Sequence, residues 1–235
     1  MEIKDFIGKN YPDGFYPNGK PLTRRREEFN RRNSQWLCND KQVDVVFFGD
    51  SITEWWEVYA YFSKYGVLVN RGFAGEQIKS AVKRFNADVV DLKPKVAVLF
   101  EGTNDISVLY SKIKDKNLSD KQLYKQVEKI SLNHEKIIRI AIDGGLKLIV
   151  CSVLPYGCKD KRNEMIVMLN KMIKGLCEKY SLPFADFHSV LVEEDGLTLK
   201  PVHFGDDLHP HVLGYNEMAK VLYPHLDKAI FNKRK

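Results

Sequence analysis

Four short apolar, mostly β-branched or aromatic runs most constrain what this chain can fold into: Val43–Phe48, Val67–Val69, Val96–Phe100 and Leu146–Cys151. Each leads into a polar or glycine-bearing stretch and then into a segment with helical spacing of its apolar residues. Runs this short and this apolar suit strands buried on both faces. Strands that alternate with helices predict an α/β fold, with a parallel sheet covered by helices on both sides. A weaker fifth strand is expected over residues 182–186. Helices are expected at about 22–36, 53–65, 77–92, 121–142, 162–180 and 213–230, and Gly144-Gly145 stops the fourth of them. Residues 106–120 read as a longer connection. Residues 1–20, with Tyr11-Pro12-Asp13-Gly14 and Pro17-Asn18-Gly19, read as an irregular arm. No linker, repeat or low-complexity segment divides the 235 residues, so one domain spanning 1–235 is expected, with residues 1–42 as an arm and a helix packed on it.

Charge and cysteine usage narrow the function classes. The net charge is +6, but the basic residues are scattered apart from Arg24-Arg25-Arg26 with Arg31-Arg32, and the tail Lys233-Arg234-Lys235. Acidic residues interrupt the first group, which reads as a solvated helix face, and no basic stripe is interleaved with aromatics, so no nucleic-acid partner is expected. The first residues, Met1-Glu2-Ile3-Lys4-Asp5, do not form a secretory signal. No apolar run is long enough to span a bilayer. Cys38, Cys151, Cys158 and Cys177 form no C-x-x-C pair, so reduced thiols and a cytoplasmic location are the simplest expectation. The sequence does not reveal an oligomeric state.

In a parallel sheet, ligands sit beyond the carboxyl ends of the strands. Ser51, Gly75 and Asn104 each follow one of the first three strands, so residues far apart in sequence converge on one edge. Serine chemistry needs a base, a group that orients the base, and donors for an oxyanion. Asp206 and His209, three residues apart before the last helix, offer a carboxylate able to fold back on an imidazole. Asp207 is a rival for that role. Asn104 supplies an amide, and Gly75 an unobstructed backbone N–H. Blander readings also stand at this point. Ser51 and Asn104-Asp105 are each suited to cap a helix, Gly75 to an ordinary turn, and Gly72 to the close approach assigned to Gly75. His203, Asp206, His209 and His211 could form a metal cluster, although no H-E-x-x-H helix accompanies them. Trp55, Trp56 and Tyr59 could line an acyl or sugar pocket, or pack in the core.

The blocks Gly49-Asp50-Ser51, Asn70-x-x-x-x-Gly75, Gly102-Thr103-Asn104-Asp105 and Asp206-x-x-His209-Pro210 occur in that order. Together they resemble the GDSL or SGNH hydrolases, an esterase and lipase superfamily, over residues 43 to about 222. The first block continues with Ile52 where the family name has leucine, and no G-x-S-x-G elbow precedes the serine. The resemblance implies a three-layer, flavodoxin-like fold with about five parallel strands. It implies Ser51 as nucleophile, His209 as base, Asp206 as its orienter, and Ser51 N–H, Gly75 N–H and the Asn104 amide as oxyanion donors. It implies a serine esterase without metal or cofactor, similar to lysophospholipase-like and acetylesterase-like members, acting on a small-molecule ester. Short-acyl esters are expected, such as acetylated carbohydrates or lysolipid-like esters. An acyltransferase would use the same residues, and an inactive binding module on this fold is the rival from another class.

Overall fold

The computed structural model describes residues 23–158 and 160–232; the expected arm and the basic tail lie outside them. The described chain runs α1 (Thr23–Cys38), β1 (Val45–Gly49), α2 (Ser51–Glu54), α3 (Val58–Phe62), β2 (Leu68–Gly72), α4 (Ile78–Phe85), β3 (Val96–Phe100), α5 (Thr103–Ile113), α6 (Asp120–Asp143), β4 (Leu148–Cys151), α7 (Arg162–Lys179), β5 (Phe184–Ala185), α8 (Phe187–Leu191) and α9 (Val212–Ile230). The five strands form a parallel sheet in the order β2-β1-β3-β4-β5. This is the flavodoxin-like order, with its switch point between β1 and β3.

Strand alternation divides the core in two. Val46, Phe48, Ala97, Leu99, Leu148 and Val150 face one layer, packed with residues of α4, α5, α6 and α7. Val45, Phe47, Val96, Val98, Ile149 and Cys151 face the other, against α2, α3, α8 and α9. Because both faces are covered, β1 and β3 are buried at every position. The outer edge of β2 is closed by side chains. The Tyr59 hydroxyl donates to the Leu68 carbonyl and accepts from its N–H, Asn70 Oδ1 accepts the Gly72 N–H, and Arg25 donates to the Gly72 carbonyl. Such covering keeps an edge strand from pairing with another chain.

Three expectations are corrected. The helix expected over 53–65 is broken: α2 stops at Glu54, α3 resumes at Val58, and a 3-10 turn covers Ser63–Tyr65. At the break, Trp56 turns inward onto Phe47, Phe62, Phe187 and Tyr215, and the Asn70 amide adds a donor to the carbonyls of Thr53 and Trp56. The connection expected over 106–120 begins as helix α5, because Ile106, Leu109, Tyr110 and Ile113 form an i, i+3, i+4, i+7 stripe against the core. The arginines of α1 are only partly a solvated face. Arg31 and Arg32 are exposed, but Arg26 grips the buried Asp88 through both guanidinium nitrogens, and Arg25 pairs with Glu28 and Glu54.

Candidate active site

The site is built where β1 meets α2. Asp50, not Ser51, is the helix cap: its carboxylate accepts the Ile52 N–H at 2.9 Å, and Ser51 is the first helical residue. Two glycines let this turn nest on the strand ends. A Cβ on Gly49 would collide with Thr53 and the Phe100 carbonyl, and a Cβ on Gly72 would collide with the backbone of Glu54. Gly72 is therefore a close-approach glycine, but toward α2, while Gly75 lies in the loop beyond with φ +77°.

The last helix brings the partner groups. The segment before α9 is closed by Gly205 N–H donating to the His209 carbonyl and His211 N–H to the His203 carbonyl. Tyr215 of α9 donates to the Ile52 carbonyl at 2.9 Å, tying this helix to the turn that carries Ser51. The result spans 158 positions of sequence: Ser51 Oγ lies 3.2 Å from His209 Nε2, and His209 Nδ1 lies 2.9 Å from Asp206 Oδ2. The other carboxylate oxygen of Asp206 accepts the backbone N–H groups of Leu208 and His209. Partial burial works against the charge of Asp206, yet these bonds from the His209 and Leu208 N–H groups and the imidazole hold its carboxyl below the usual range. An ionised carboxylate only accepts, so Nδ1 carries the ring proton and Nε2 is left to accept from the Ser51 hydroxyl. The Asp207 backbone carbonyl accepts the Gly157 N–H, and its side chain lines a groove of about 600 Å³ with Tyr156, Asn163, Asp195 and Thr198.

Asn104 stands in the first turn of α5, across the switch point from Ser51. Its amide donates to the Glu76 carbonyl at 3.0 Å, one residue beyond Gly75, and its second amide hydrogen remains available. Asp105 accepts the Ile78 N–H at 2.9 Å, so consecutive residues of α5 brace the loop that holds Gly75. The alternative metal cluster does not form: His211 Nδ1 accepts the Leu213 N–H, both Asp206 oxygens are engaged as above, and no group of three metal-ligating side chains occurs among the described residues.

A buried charge network beneath the site was not read from the sequence. Arg84 of α4 donates to the Glu76 carboxylate, to Asp88 Oδ2 and to the Arg71 and Gly49 carbonyls, with its guanidinium carbon 4.0 Å over the Phe48 ring. Asp88 also receives Arg26 and Asn33. Burial pushes Asp50 and Asp105 up to about 7, against the pull of the Ile52 and Ile78 N–H groups respectively. Burial, with Glu76 and Asp50 nearby, also raises Glu101 well above the ordinary range. His134 is buried between the Glu101 and Ile130 carbonyls, and burial lowers its pKa. The available signal for this network was weak: Arg84 lies within the Ile78, Ala81, Phe85 apolar face of α4, where a charged residue asks for a buried partner.

A serine, an imidazole and a carboxylate linked in series at the switch point of a flavodoxin-like sheet are the elements of a serine hydrolase. The model of the GDSL-like lipase/acylhydrolase family matches residues 47–216. The chain belongs to this family and is a carboxylic ester hydrolase of the GDSL type. It is 26% identical over 195 residues to the platelet-activating factor acetylhydrolase IB subunit alpha2 of Homo sapiens and that of Rattus norvegicus, covering 79% of this chain and 77% of theirs. A GDSL-like lipase of Bacteroides thetaiotaomicron superposes with a TM-score of 0.68 at 25% identity, covering 85% of this chain and 97% of that one. Axe2, an acetylxylan esterase of Geobacillus stearothermophilus, superposes with a TM-score of 0.63 at 17% identity, covering 78% and 94%; this likeness is one of fold. Among the described residues, no helix is long and apolar enough to cross a membrane.

Proposed function

We propose that Ser51, His209 and Asp206 form the catalytic triad of this esterase, with oxyanion donors from Ser51 N–H, Gly75 N–H and the Asn104 amide. The observation that carries the reading is the continuous hydrogen-bond series from Ser51 Oγ through His209 to Asp206. In the first half-reaction, Oγ attacks the ester carbonyl carbon while Nε2 takes its proton. The carbonyl π pair becomes the oxyanion, held by the three N–H donors. Collapse breaks the ester C–O bond, and the imidazolium returns the proton to the departing alcohol. Water then enters, gives its proton to Nε2 and attacks the acyl-enzyme. The acid leaves as the proton returns to Oγ. Asp206 stays ionised throughout and keeps the imidazole in the useful tautomer.

The substrates fitting this reading are small esters with short acyl groups, such as acetylated carbohydrates or lysolipid-like esters. The support for it is the acetyl group in the names of platelet-activating factor acetylhydrolase and the acetylxylan esterase. Of the aromatics weighed as pocket or core residues, Trp56 belongs to the core, while Trp55 is exposed and lies against His209. The test is hydrolysis of 4-nitrophenyl esters of graded acyl length by wild type and Ser51→Ala, with folding checked by circular dichroism. Turnover lost in Ser51→Ala and falling from acetate to longer acyl groups is expected. Full turnover in the alanine variant refutes the triad; rates climbing steadily to fatty-acyl esters refute the short-acyl assignment.

A further inference from the structure

Trp55 is the one large aromatic of the active-site turn that the core does not absorb. Its relative exposure is 55%, against 3% for the neighbouring Trp56. Its N–H donates to the Ser51 carbonyl at 2.9 Å, so one helical turn carries both residues and presents them on the same side. Its one aromatic partner among the described residues is the His209 ring, 4.2 Å between centroids and tilted by 42°. The imidazole is thus held on three sides: Ser51 Oγ at Nε2, Asp206 at Nδ1, and the indole against the ring face.

The third contact answers a weakness in the second. The Asp206 side chain is 57% exposed, so water competes for the carboxylate that fixes the ring. The two backbone N–H groups on Asp206 fix the carboxylate, but they do not limit rotation of the imidazole about its Cβ–Cγ bond. Rotation by half a turn would take Nδ1 away from Asp206 and Nε2 away from Ser51. An indole packed on the ring face obstructs that rotation and shields one side of the imidazole from water. A π face also favours the imidazolium that forms when His209 takes a proton.

We infer that Trp55 is a positioning residue of the hydrolase, holding the His209 imidazole in line between Ser51 and Asp206. The inference rests on the reading of Ser51 and His209 above. Its test is steady-state hydrolysis of 4-nitrophenyl acetate by Trp55→Phe, Trp55→Leu and Trp55→Ala, with Ser51→Ala as the reference and thermal unfolding recorded for each. Trp55→Leu and Trp55→Ala should lose roughly tenfold to a hundredfold in kcat, the scale of a misaligned catalytic group, while KM changes less than about twofold. Trp55→Phe, which keeps a flat ring, should restore most of kcat. A leucine variant with wild-type kcat overturns the inference, whatever its melting temperature, as does a rise in KM at constant kcat, which would make Trp55 a substrate contact. A phenylalanine variant as slow as the leucine variant also overturns it. If Ser51→Ala abolishes turnover while the Trp55 variants match wild type, the inference alone fails. If turnover does not depend on Ser51, the triad and the inference fall together.

Discussion

Replacing Arg84 with methionine should damage this protein more than any change to a surface charge. Glu76 and Arg84 have side chains only 3% and 5% exposed, and Arg84 Nε donates to Glu76 Oε2 at 2.7 Å. Methionine fills much of the volume but leaves the Glu76 carboxylate buried without its cation. The other partners of Arg84 suffer less. Asp88 keeps Arg26 and Asn33, and the Gly49 carbonyl keeps the Phe73 N–H. The cost is therefore dominated by one uncompensated carboxylate, about 3–5 kcal/mol. In a chain of this size that lowers the melting temperature by about 6–20 °C, at roughly 2–4 °C per kcal/mol. Urea unfolding of wild type, Arg84→Met, Glu76→Gln and the double variant gives the coupling directly. Because the penalty belongs to the stranded charge, adding Glu76→Gln to Arg84→Met should recover part of the loss. A single-variant cost below about 1 kcal/mol, the range of an exposed pair, would refute the reasoning. So would a double variant less stable than Arg84→Met.

Other outcomes follow from the site. Asn104→Ala should lower kcat by about 10²–10³, the usual loss of one oxyanion donor, with little change in KM; an unchanged kcat would remove Asn104 from the oxyanion hole. Asp206→Asn should reduce turnover on 4-nitrophenyl acetate far more than Asp207→Asn, because Asp206 contacts Nδ1 and an amide there can donate and favour the wrong tautomer; equal losses would overturn the assignment. Burial holds Asp50 at about 7, far above its ordinary 3.8, so the native state keeps a proton that the unfolded chain releases earlier. Its contribution to stability is present below the unfolded value and is lost as pH rises through the folded one. Asp50→Asn, still a good cap, should gain in melting temperature relative to wild type from about pH 5 to about pH 8. Parallel curves for the two proteins would contradict a protonated Asp50.

Much of the frame was legible because it depends on period and punctuation. The apolar runs ending at Gly49, Phe100 and Cys151 needed burial on both faces, and the observed sheet buries them so. Asp206 and His209 were legible because three residues of loop suffice to fold one onto the other. The helix break at Trp56 was not legible, since it is decided by contacts with Phe187 and Tyr215, more than a hundred residues away. Nor was the role of Arg26, whose aspartate partner lies 62 positions on. An arginine that reaches a buried carboxylate has the same local pattern as one that faces water.

What the sequence pattern could not disclose is how tightly the parts of the site are coupled. Gly49 and Gly72 permit α2 to rest on the ends of β1 and β2, and Arg84 joins those same strand ends through the Gly49 and Arg71 carbonyls. The same guanidinium holds Glu76, whose carbonyl holds Asn104. Thus the turn bearing Ser51, the loop bearing Gly75 and the amide of Asn104 are referenced to a single buried side chain. Preorganised donors act because they need not move as the oxyanion charge develops. The buried Arg84 would supply that property to the Gly75 and Asn104 donors proposed above. On the other side of the site, His209 is carried by a loop with an exposed carboxylate, Tyr215 ties the following helix to the Ile52 carbonyl, and the indole of Trp55 packs across the imidazole. Damage at Arg84 should therefore appear in stability and rate together, whereas damage at Trp55 should appear in rate alone.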